Sequence, residues 1–149
     1  MSINRTTSED PGFEILIRQL NAYLAELNGE KDPFYSALNK VDGIPTVVLA
    51  FADGEPVGCG AFRPIDEKTV EIKRMFVLPE FRGKGIASSV LAELESWAKE
   101  KGASCAVLET GSTMTSAIRL YEKAGYKRTE NYGPYVGNEG SACFSKALA

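Results

Sequence analysis

The sequence contains no histidine among its 149 residues. Histidine is the side chain that titrates most readily near neutral pH, and it is the commonest metal ligand in proteins. Its absence removes the usual general base, so acid–base chemistry must use carboxylates, tyrosine, lysine or cysteine. We therefore expect no metal site, and we look for catalytic groups among the carboxylates and phenols.

Cysteine is also scarce, and long apolar runs are missing. Cys59, Cys105 and Cys143 are far apart and odd in number, which favours reduced core thiols over a disulfide framework. Without a histidine to activate it, Cys59 is not expected to act as a nucleophile. No run of about 18 apolar residues exists to span a membrane, and the first 20 residues lack the pattern of a signal peptide. These features predict a cytoplasmic protein with no membrane partner.

The charge balance excludes a strongly basic surface. The sequence has 17 lysines and arginines against 20 aspartates and glutamates, a net charge of −3, and its pI is about 5.1. Nucleic-acid binding depends on neutralising phosphates with basic side chains, so we expect no nucleic-acid partner. A mildly acidic surface tolerates a cationic substrate. The length suits one domain, and we expect residues 1–149 to form it.

Apolar periodicity and turn signals predict a mixed α/β fold, with helices and strands alternating along the chain. "VVLAF" and "VGCGAF" flank Asp53-Gly54, a dipeptide typical of a tight β-hairpin. A strand near residues 2–8 is only weakly signalled, 30–43 reads as a polar connection or short helix, and "YKRTENYGPYVGNEG" is turn-rich. The predicted helices are 13–28, 85–101 and 113–124, and the other predicted strands are "TVEIKRMFV", "ASCAVLET" and "SACFSKAL".

The segment "FRGKGIA" places two glycines and two cations between a strand and a helix. Free N–H groups at a helix N-terminus bind anions, often phosphates, and glycine lets a ligand approach the backbone. The alternative is a surface turn whose glycines only satisfy its geometry. A Walker A loop is excluded because Lys84 precedes Gly85, and a dinucleotide fingerprint is excluded because position 88 is serine.

Two blocks resemble a known family. Arg82, Gly85 and Ala87 fit the pattern Arg/Gln-x-x-Gly-x-Gly/Ala after "MFVLPEF", which resembles the acetyl-CoA signature of the GNAT N-acetyltransferase superfamily. A second block, "AIRLYEKAGYKR" (117–128), is similar to that family's Ala-x-x-Leu-Tyr-x-Lys-x-Gly-Phe/Tyr segment. The resemblance runs from about Val47 to Leu148.

The resemblance implies a fold, a cosubstrate and a reaction. The expected fold is a single GNAT domain with a central, twisted, mostly antiparallel sheet, helices flanking it, and strands splayed to admit coenzyme A. The expected reaction is transfer of the acetyl group of acetyl-CoA to a primary amine by direct attack in a ternary complex. Dimerisation is common in the family, so a homodimer is compatible with the resemblance.

The family also implies which residues hold the cofactor. Backbone N–H groups of the signature loop would bind the pyrophosphate, and the strand before the loop would bind the pantetheine arm through its main chain. Lys123 would reach a phosphate, with a solvated helix lysine as the alternative. Where many members carry an asparagine, this chain has Met114, so Thr113, Thr115 or a backbone group would have to replace that contact. The cofactor residues implied are Met75, Phe76, Val77, Arg82, Gly83, Lys84, Gly85, Ile86, Ala87, Ser88 and Lys123.

Two further residues are candidates for catalysis. Some family members place a glutamate at the position of Glu71 as general base, and strand alternation puts it on the face of Lys73, Met75 and Val77. The alternative is a surface carboxylate paired with a lysine. Tyr121 stands where many members use a tyrosine to protonate the leaving thiolate, and the alternative is an aromatic residue packed in the core.

The acceptor side is less defined. Glu109, at the end of "AVLET", would bind the amine or replace Glu71 as base, or else only complement the charge of the next helix. Tyr132 and Tyr135 lie in the loop 130–140, the candidate wall of the acceptor pocket, with a hairpin tip as the alternative. The sequence favours a small-molecule acceptor. Two other functions stay open: a non-catalytic sensor that binds coenzyme A, and an enzyme acting on protein lysines or N-termini.

Overall fold

The computed structural model describes residues 1–28 and 44–148 of the protein. The predicted polar connection or short helix at 30–43 lies outside the described residues. The described helices are α1 (Pro11–Asn28), α2 (Ile86–Glu100) and α3 (Thr115–Lys123). The strands are β1 (Ser2–Thr6), β2 (Val47–Ala52), β3 (Glu55–Pro64), β4 (Thr69–Val77), β5 (Cys105–Gly111), β6 (Lys127–Thr129) and β7 (Ser141–Ala147).

Seven strands form one sheet in the order β1-β2-β3-β4-β5-β7-β6. The β1–β2, β2–β3, β5–β7 and β6–β7 pairs are antiparallel, and β4 and β5 are parallel with Thr69 opposite Cys105 and Ile72 opposite Leu108. A mixed α/β fold with a mostly antiparallel sheet is therefore confirmed. The weakly signalled first strand is present as β1. The short strand β6, inside the segment predicted as turn-rich, was not predicted.

The chain divides into two compact units, and each is described by itself. The first unit comprises Met1–Phe62 and Lys73–Leu94, and the second comprises Arg63–Ile72 and Glu95–Ala149. The division falls within β4 and within α2, so each of these elements contributes residues to both units.

The first unit is built on α1, β1, β2 and β3. Helix α1 begins after Asp10, whose carboxylate accepts a hydrogen bond from the backbone N–H of Gly12 at 2.8 Å, as an N-terminal cap does. The predicted hairpin is confirmed, because Asp53 and Gly54 both have positive φ, at 52° and 80°. The core of this unit consists of Phe13, Leu16, Ile17, Leu20, Ile44, Val47, Leu49, Cys59, Ala61 and Phe76.

Two glycines on β3 let neighbouring elements approach its backbone. A Cβ atom at Gly60 would lie 2.5 Å from Met75 Sδ and 2.7 Å from a methyl group of Leu94, and one at Gly58 would lie 2.9 Å from Ile86. These distances are shorter than packed side chains allow. Because glycine has no side chain at positions 58 and 60, α2 can pack this close to β3. The N-terminus of α2, where the candidate anion loop ends, is fixed by this contact.

The second unit holds β5, β6, β7, α3 and the start of β4. Its buried residues include Leu108 and Phe144, which are opposite each other on β5 and β7. Helix α3 is followed by Gly125, which has a φ of 101° and ends the helix as predicted. In the part of the chain that the structure describes, no helix has both the length and the apolar character needed to cross a bilayer.

Candidate active site

The glycine-rich loop of the first unit presents backbone donors to solvent. Gly83 and Gly85 both have a φ of 80°, a left-handed conformation that favours glycine, and both residues are exposed. The first helical hydrogen bond joins the N–H of Ser89 to the carbonyl of Gly85 at 3.0 Å. The N–H groups of the three residues before Ser89 therefore precede the ladder of α2, as at any helix N-terminus. The loop has the geometry expected of an anion site.

The two cations of the loop are held by aromatic rings and by the strand before the loop. Arg82 donates from Nε to the carbonyl of Val77 at 2.9 Å, and its guanidinium lies 5.7 Å from the centre of the Phe76 ring. Lys84 Nζ lies 5.3 Å from the centre of the Phe81 ring. These contacts fix two positive charges beside exposed backbone N–H groups, so charge and dipole favour the same ligand.

The backbone of β4 departs from a regular strand at Arg74, whose φ is 59°. Strand alternation requires extended backbone at every residue, so alternation alone does not determine whether Glu71 and Met75 share a face across this position, and that stays a prediction. Residues with a branched or long side chain rarely adopt a left-handed φ, and those that do are often found at functional sites.

The second unit brings Glu71, Arg63 and Tyr132 together. Arg63 Nε donates to one oxygen of the Glu71 carboxylate at 3.0 Å, and the Tyr132 hydroxyl donates to the other at 2.6 Å. Glu71 is only 2% exposed, so the expectation of a surface carboxylate as the alternative role is wrong. The two donors orient the carboxylate in this buried position.

The loop from Glu130 to Gly140 is ordered by one asparagine. Asn131 Nδ2 donates to the carbonyl oxygens of Tyr135, Asn138 and Ser141 at 3.1, 3.0 and 3.2 Å. Within this loop the rings of Tyr132 and Tyr135 pack edge to face, with centroids 5.6 Å apart. Tyr135 is buried, and burial raises the pKa of both phenols, with the charge of Glu71 raising them further. Tyr132 thus attaches the loop to Glu71 and Tyr135 is buried, while Gly133, Pro134 and Val136 are exposed.

Tyr121 is buried in the second unit. Its ring packs edge to face against Tyr126, with centroids 6.0 Å apart, and Tyr126 donates to Glu95 at 2.8 Å. Burial raises the pKa of Tyr121 above its ordinary value, and the negative charge of Glu109 raises it further. The phenol therefore keeps its proton at neutral pH, as a proton donor must.

The other candidates occupy less enclosed positions. Glu109 is half-buried on β5, and Lys123 is exposed in the last turn of α3. Met114 stands directly before α3 and gives no side-chain hydrogen bond to its N-terminus. The position at which many family members carry an asparagine thus has no polar side chain here, as the sequence indicated.

The cysteines do not form a catalytic group. All three are free thiols, and Cys59 donates to the carbonyl of Arg74 at 3.4 Å. Burial raises the pKa of Cys59 to about 12, which leaves almost no thiolate at neutral pH. Within residues 1–28 and 44–148, no three cysteine, aspartate or glutamate side chains are grouped as a metal ion would require.

Three residues of these networks were not predicted: Arg63, Arg74 and Asn131. Arg63 could have been predicted from the sequence, because it lies near the end of β3 and a hairpin connection to β4 brings it close to Glu71. Asn131 had a weaker signal, since an asparagine in a segment rich in glycine and tyrosine is a common loop clamp. Arg74 has no local signal that distinguishes it from an exposed strand residue.

Comparisons with known proteins identify the family and the fold. The model of the Acetyltransferase (GNAT) family matches residues 13–126. An IAA acetyltransferase from Azospirillum brasilense is 35% identical over 136 residues, covering 89% of this chain and 88% of the relative. A crystal structure from Klebsiella pneumoniae, assigned as an acyl-CoA N-acyltransferase, matches with a TM-score of 0.84 and 27% identity over 99% of this chain and 97% of that one.

A second solved structure shows the same fold at lower identity. An aminoglycoside 6′-N-acetyltransferase complexed with coenzyme A has a TM-score of 0.74 and 17% identity, covering 100% of this chain and 98% of that one. The chain belongs to the GNAT acetyltransferase family. It is an acetyl-CoA-dependent N-acetyltransferase, so acetyl-CoA is its cosubstrate.

Proposed function

We propose that the protein acetylates the primary amine of a small molecule by direct attack on acetyl-CoA in a ternary complex. The observation that carries the proposal is the buried carboxylate of Glu71, held in place by Arg63 and Tyr132. In the reaction the amine nitrogen bonds to the acetyl carbon, the carbon–sulfur bond breaks, and the products are an N-acetyl amine and free coenzyme A. One proton leaves the nitrogen and one reaches the sulfur.

The cofactor is assigned to the first unit. The exposed N–H groups between Arg82 and Ser88 bind the pyrophosphate, because a helix N-terminus and two cations favour negative charge there. The pantetheine arm bonds to the main chain of Met75 to Val77. The ladder between β4 and β5 reaches Ile72, so these three residues lie beyond it along the strand.

Glu71 acts as the general base, directly or through one water. An ammonium group must lose a proton before its nitrogen can attack a thioester, and a buried carboxylate is suited to accept it. Each carboxylate oxygen can accept more than one hydrogen bond, so the bonds from Arg63 and Tyr132 orient Glu71 without excluding a further donor. Glu109, which is half-buried on β5, is the alternative base.

Tyr121 acts as the proton donor to the leaving thiolate. Its raised pKa keeps the phenol neutral, so it is a hydrogen-bond donor throughout the neutral range. A developing thiolate in the same low-dielectric surroundings is also less stable than in water, and this favours proton transfer to sulfur.

A small-molecule acceptor is supported by the ordered loop 130–140. Asn131 bonds the loop to its own backbone, and Tyr132 attaches it to Glu71, and both contacts favour one position of this wall. A protein substrate needs an open groove, whereas a small amine needs an enclosing wall. The relatives named as an IAA acetyltransferase and an aminoglycoside 6′-N-acetyltransferase are named for small-molecule acceptors, which adds support. We further propose that residues 1–149 act as one domain in the cytoplasm.

The test is release of coenzyme A thiol with polyamines, aminoglycosides, amino acids and lysine peptides as acceptors. The mass of each product must confirm acetylation, because the three cysteines of the protein react with thiol reagents. We expect at least one small amine to be acetylated, with Glu71→Gln and Tyr121→Phe losing turnover while acetyl-CoA still binds. Acetyl-CoA binding without transfer to any acceptor favours the sensor instead, and transfer to peptides alone favours a protein acetyltransferase.

A further inference from the structure

Arg74 is a buried cation with an incomplete set of partners. Its side chain is 7% exposed in the first unit, and its Nη2 donates to Asn21 Oδ1 on α1. Among the residues that the structure describes, its Nε and Nη1 have no hydrogen-bond partner, and both are closed to solvent. Buried polar groups are nearly always paired, so two unpaired donors on one guanidinium require an explanation.

The charge of Arg74 is also uncompensated within the first unit. Among the described residues, no carboxylate forms an ion pair with it. Cys59 bonds to its backbone carbonyl, but a thiol whose pKa is raised to about 12 carries no negative charge at neutral pH. A guanidinium does not lose its proton in proteins, so this buried positive charge has no anion beside it among the described residues.

The backbone at Arg74 is a second, independent anomaly. Its φ of 59° is left-handed in a strand, where arginine gains nothing from that conformation. In the chain, Arg74 directly precedes Met75, where the pantetheine segment begins, and follows the proposed base Glu71 by three residues. Backbone strain and an unsatisfied charge at one residue indicate a binding function rather than a contribution to stability.

We propose that Arg74 binds the carboxylate of the acceptor, so the acceptor is an amino acid or a related amine that carries a carboxylate. This inference rests on the proposed acetyl transfer. A guanidinium forms its strongest pairs with planar carboxylates, through two parallel N–H bonds. The phosphates of the cofactor are already assigned to the glycine-rich loop. A buried cation repels polyamines and aminoglycosides, so these acceptors are disfavoured.

Binding requires a local rearrangement. Because Nε and Nη1 are closed to solvent in the ligand-free protein, a carboxylate reaches them only if the guanidinium turns or α1 moves. The described contact that restrains the guanidinium on this side is the single bond to Asn21. The unpaired donors therefore favour the bound state, in which the carboxylate satisfies them.

The experiment compares matched acceptors on the wild-type protein and on Arg74→Gln, with Arg5→Gln as the control. Phenylalanine and methionine are each paired with their carboxamides, which remove the carboxylate and keep the side chain, and the effect of the amide on the amine is common to both proteins. Arg5 pairs with Glu93 at the partly exposed surface of the same unit, and its loss removes the same charge. We expect kcat/KM for the best amino acid to fall at least 100-fold in Arg74→Gln, while its carboxamide changes less than 3-fold. Arg5→Gln should match the wild type.

A binding measurement separates the role of Arg74 from the proposed acetyl transfer. Isothermal titration of the same amino acids into the complex with coenzyme A should give Arg74-dependent binding whether or not transfer follows. Arg74-dependent binding without acetylation contradicts the proposed function and supports the role of Arg74. Transfer with equal losses for acids and carboxamides, or no Arg74-dependent binding, overturns the role of Arg74. A weaker Kd for acetyl-CoA in Arg74→Gln also overturns it, since the residue would then hold the cofactor.

The stability of the free protein gives a further readout that does not depend on activity. Arg74→Met removes the uncompensated charge and keeps much of the apolar stem. Its Tm without ligand should equal or exceed that of the wild type, because an unpaired buried charge destabilises the fold. A Tm lowered by several degrees would mean that Arg74 is structurally paired, and would contradict the proposal.

Discussion

The two units differ in whether the polar groups of the candidate site have hydrogen-bond partners within the protein. In the first unit, the loop between Arg82 and Ser88 is largely exposed, and Nε and Nη1 of Arg74 have no hydrogen-bond partner among the described residues. In the second unit, both oxygens of Glu71 are occupied, and Asn131 satisfies three carbonyl groups. Unsatisfied donors are costly unless a ligand completes them, whereas satisfied networks hold a group in one position and one charge state.

This difference predicts that one unit determines binding and the other determines rate. Residues of the first unit should determine binding, because their partners arrive with the ligands. Residues of the second unit should determine rate and pH dependence, because their partners are already in place. The prediction is supported if substitutions in the first unit change Kd and those in the second unit change kcat. It is contradicted if substitutions in either unit change both.

The largest effect is expected for Glu71→Gln. The amide keeps the shape but cannot accept the proton of the amine, so kcat should fall about 10²- to 10⁴-fold. The Kd for acetyl-CoA should stay within 2-fold. Steady-state kinetics and isothermal titration of one preparation measure both. Glu67→Gln, in the exposed turn before β4, is the control and should leave both kcat and the Kd for acetyl-CoA unchanged. A weakened Kd with unchanged kcat would place Glu71 in cofactor binding instead.

Tyr121→Phe should reduce kcat about 10- to 100-fold with little change in KM. Burial and the charge of Glu109 raise the pKa of Tyr121, so its neutral form, which donates the proton, persists as pH rises beyond about 10. Any loss of kcat between pH 7 and 9.5 must then come from another group. A pH–rate profile measures this, and an alkaline limb near pH 8 that disappears in Tyr121→Phe would contradict the assignment.

The raised tyrosine pKa values also predict steep alkaline unfolding. Tyr121, Tyr126, Tyr132 and Tyr135 each have a folded-state pKa above the unfolded value of about 10. Their contribution to stability is fully present below pH 10 and is lost as pH rises towards the folded-state values, since only the unfolded chain then releases protons. Each adds up to about 1.4 kcal/mol per pH unit to the decline. Urea titrations at pH 8, 10 and 11 test it.

Local signals in the sequence predicted most elements of both units but not the contacts of the site. The Asp53-Gly54 turn and the ends of α2 and α3 depend on neighbouring residues, so they could be predicted. Glu71 could be selected by its place in a family pattern. Its burial and its bond to Tyr132, 61 residues away, depend on the pairing of strands, which no local pattern contains.

The missed features share a physical cause. Strand β6 has three residues, all exposed, so it shows no apolar alternation. The left-handed φ of Arg74 occurs without the glycine or asparagine that usually indicates one. Unsatisfied donors on that side chain follow from what surrounds it, and surroundings are set by the tertiary fold.

Gly85→Ala should act on binding in the first unit. The φ of 80° becomes strained by about 1–2 kcal/mol with any side chain, and the loop then leaves the conformation that aims its N–H groups at the pyrophosphate. We expect the Kd for acetyl-CoA to rise about 10-fold with kcat at saturation unchanged. Gly54→Ala is a matched control, because Gly54 has the same φ and an added Cβ meets nothing within 4 Å at either site. Both should lose similar stability, and only Gly85→Ala should lose affinity.

The smallest effect, and the finest test of the difference between the two units, is expected for Tyr132→Phe. It removes one of the two described donors to Glu71 and leaves Arg63 in place, so the carboxylate is still oriented by the bond from Arg63. Because a net hydrogen bond contributes about 0.5–1.5 kcal/mol, the loss of this one should lower kcat at pH 8 by about 3-fold. A pH–rate profile with the wild type measured in parallel is sufficient. A 100-fold loss at all pH values would instead make the Tyr132 hydroxyl a participant in proton transfer, and the second unit would then contain two catalytic groups beside Tyr121.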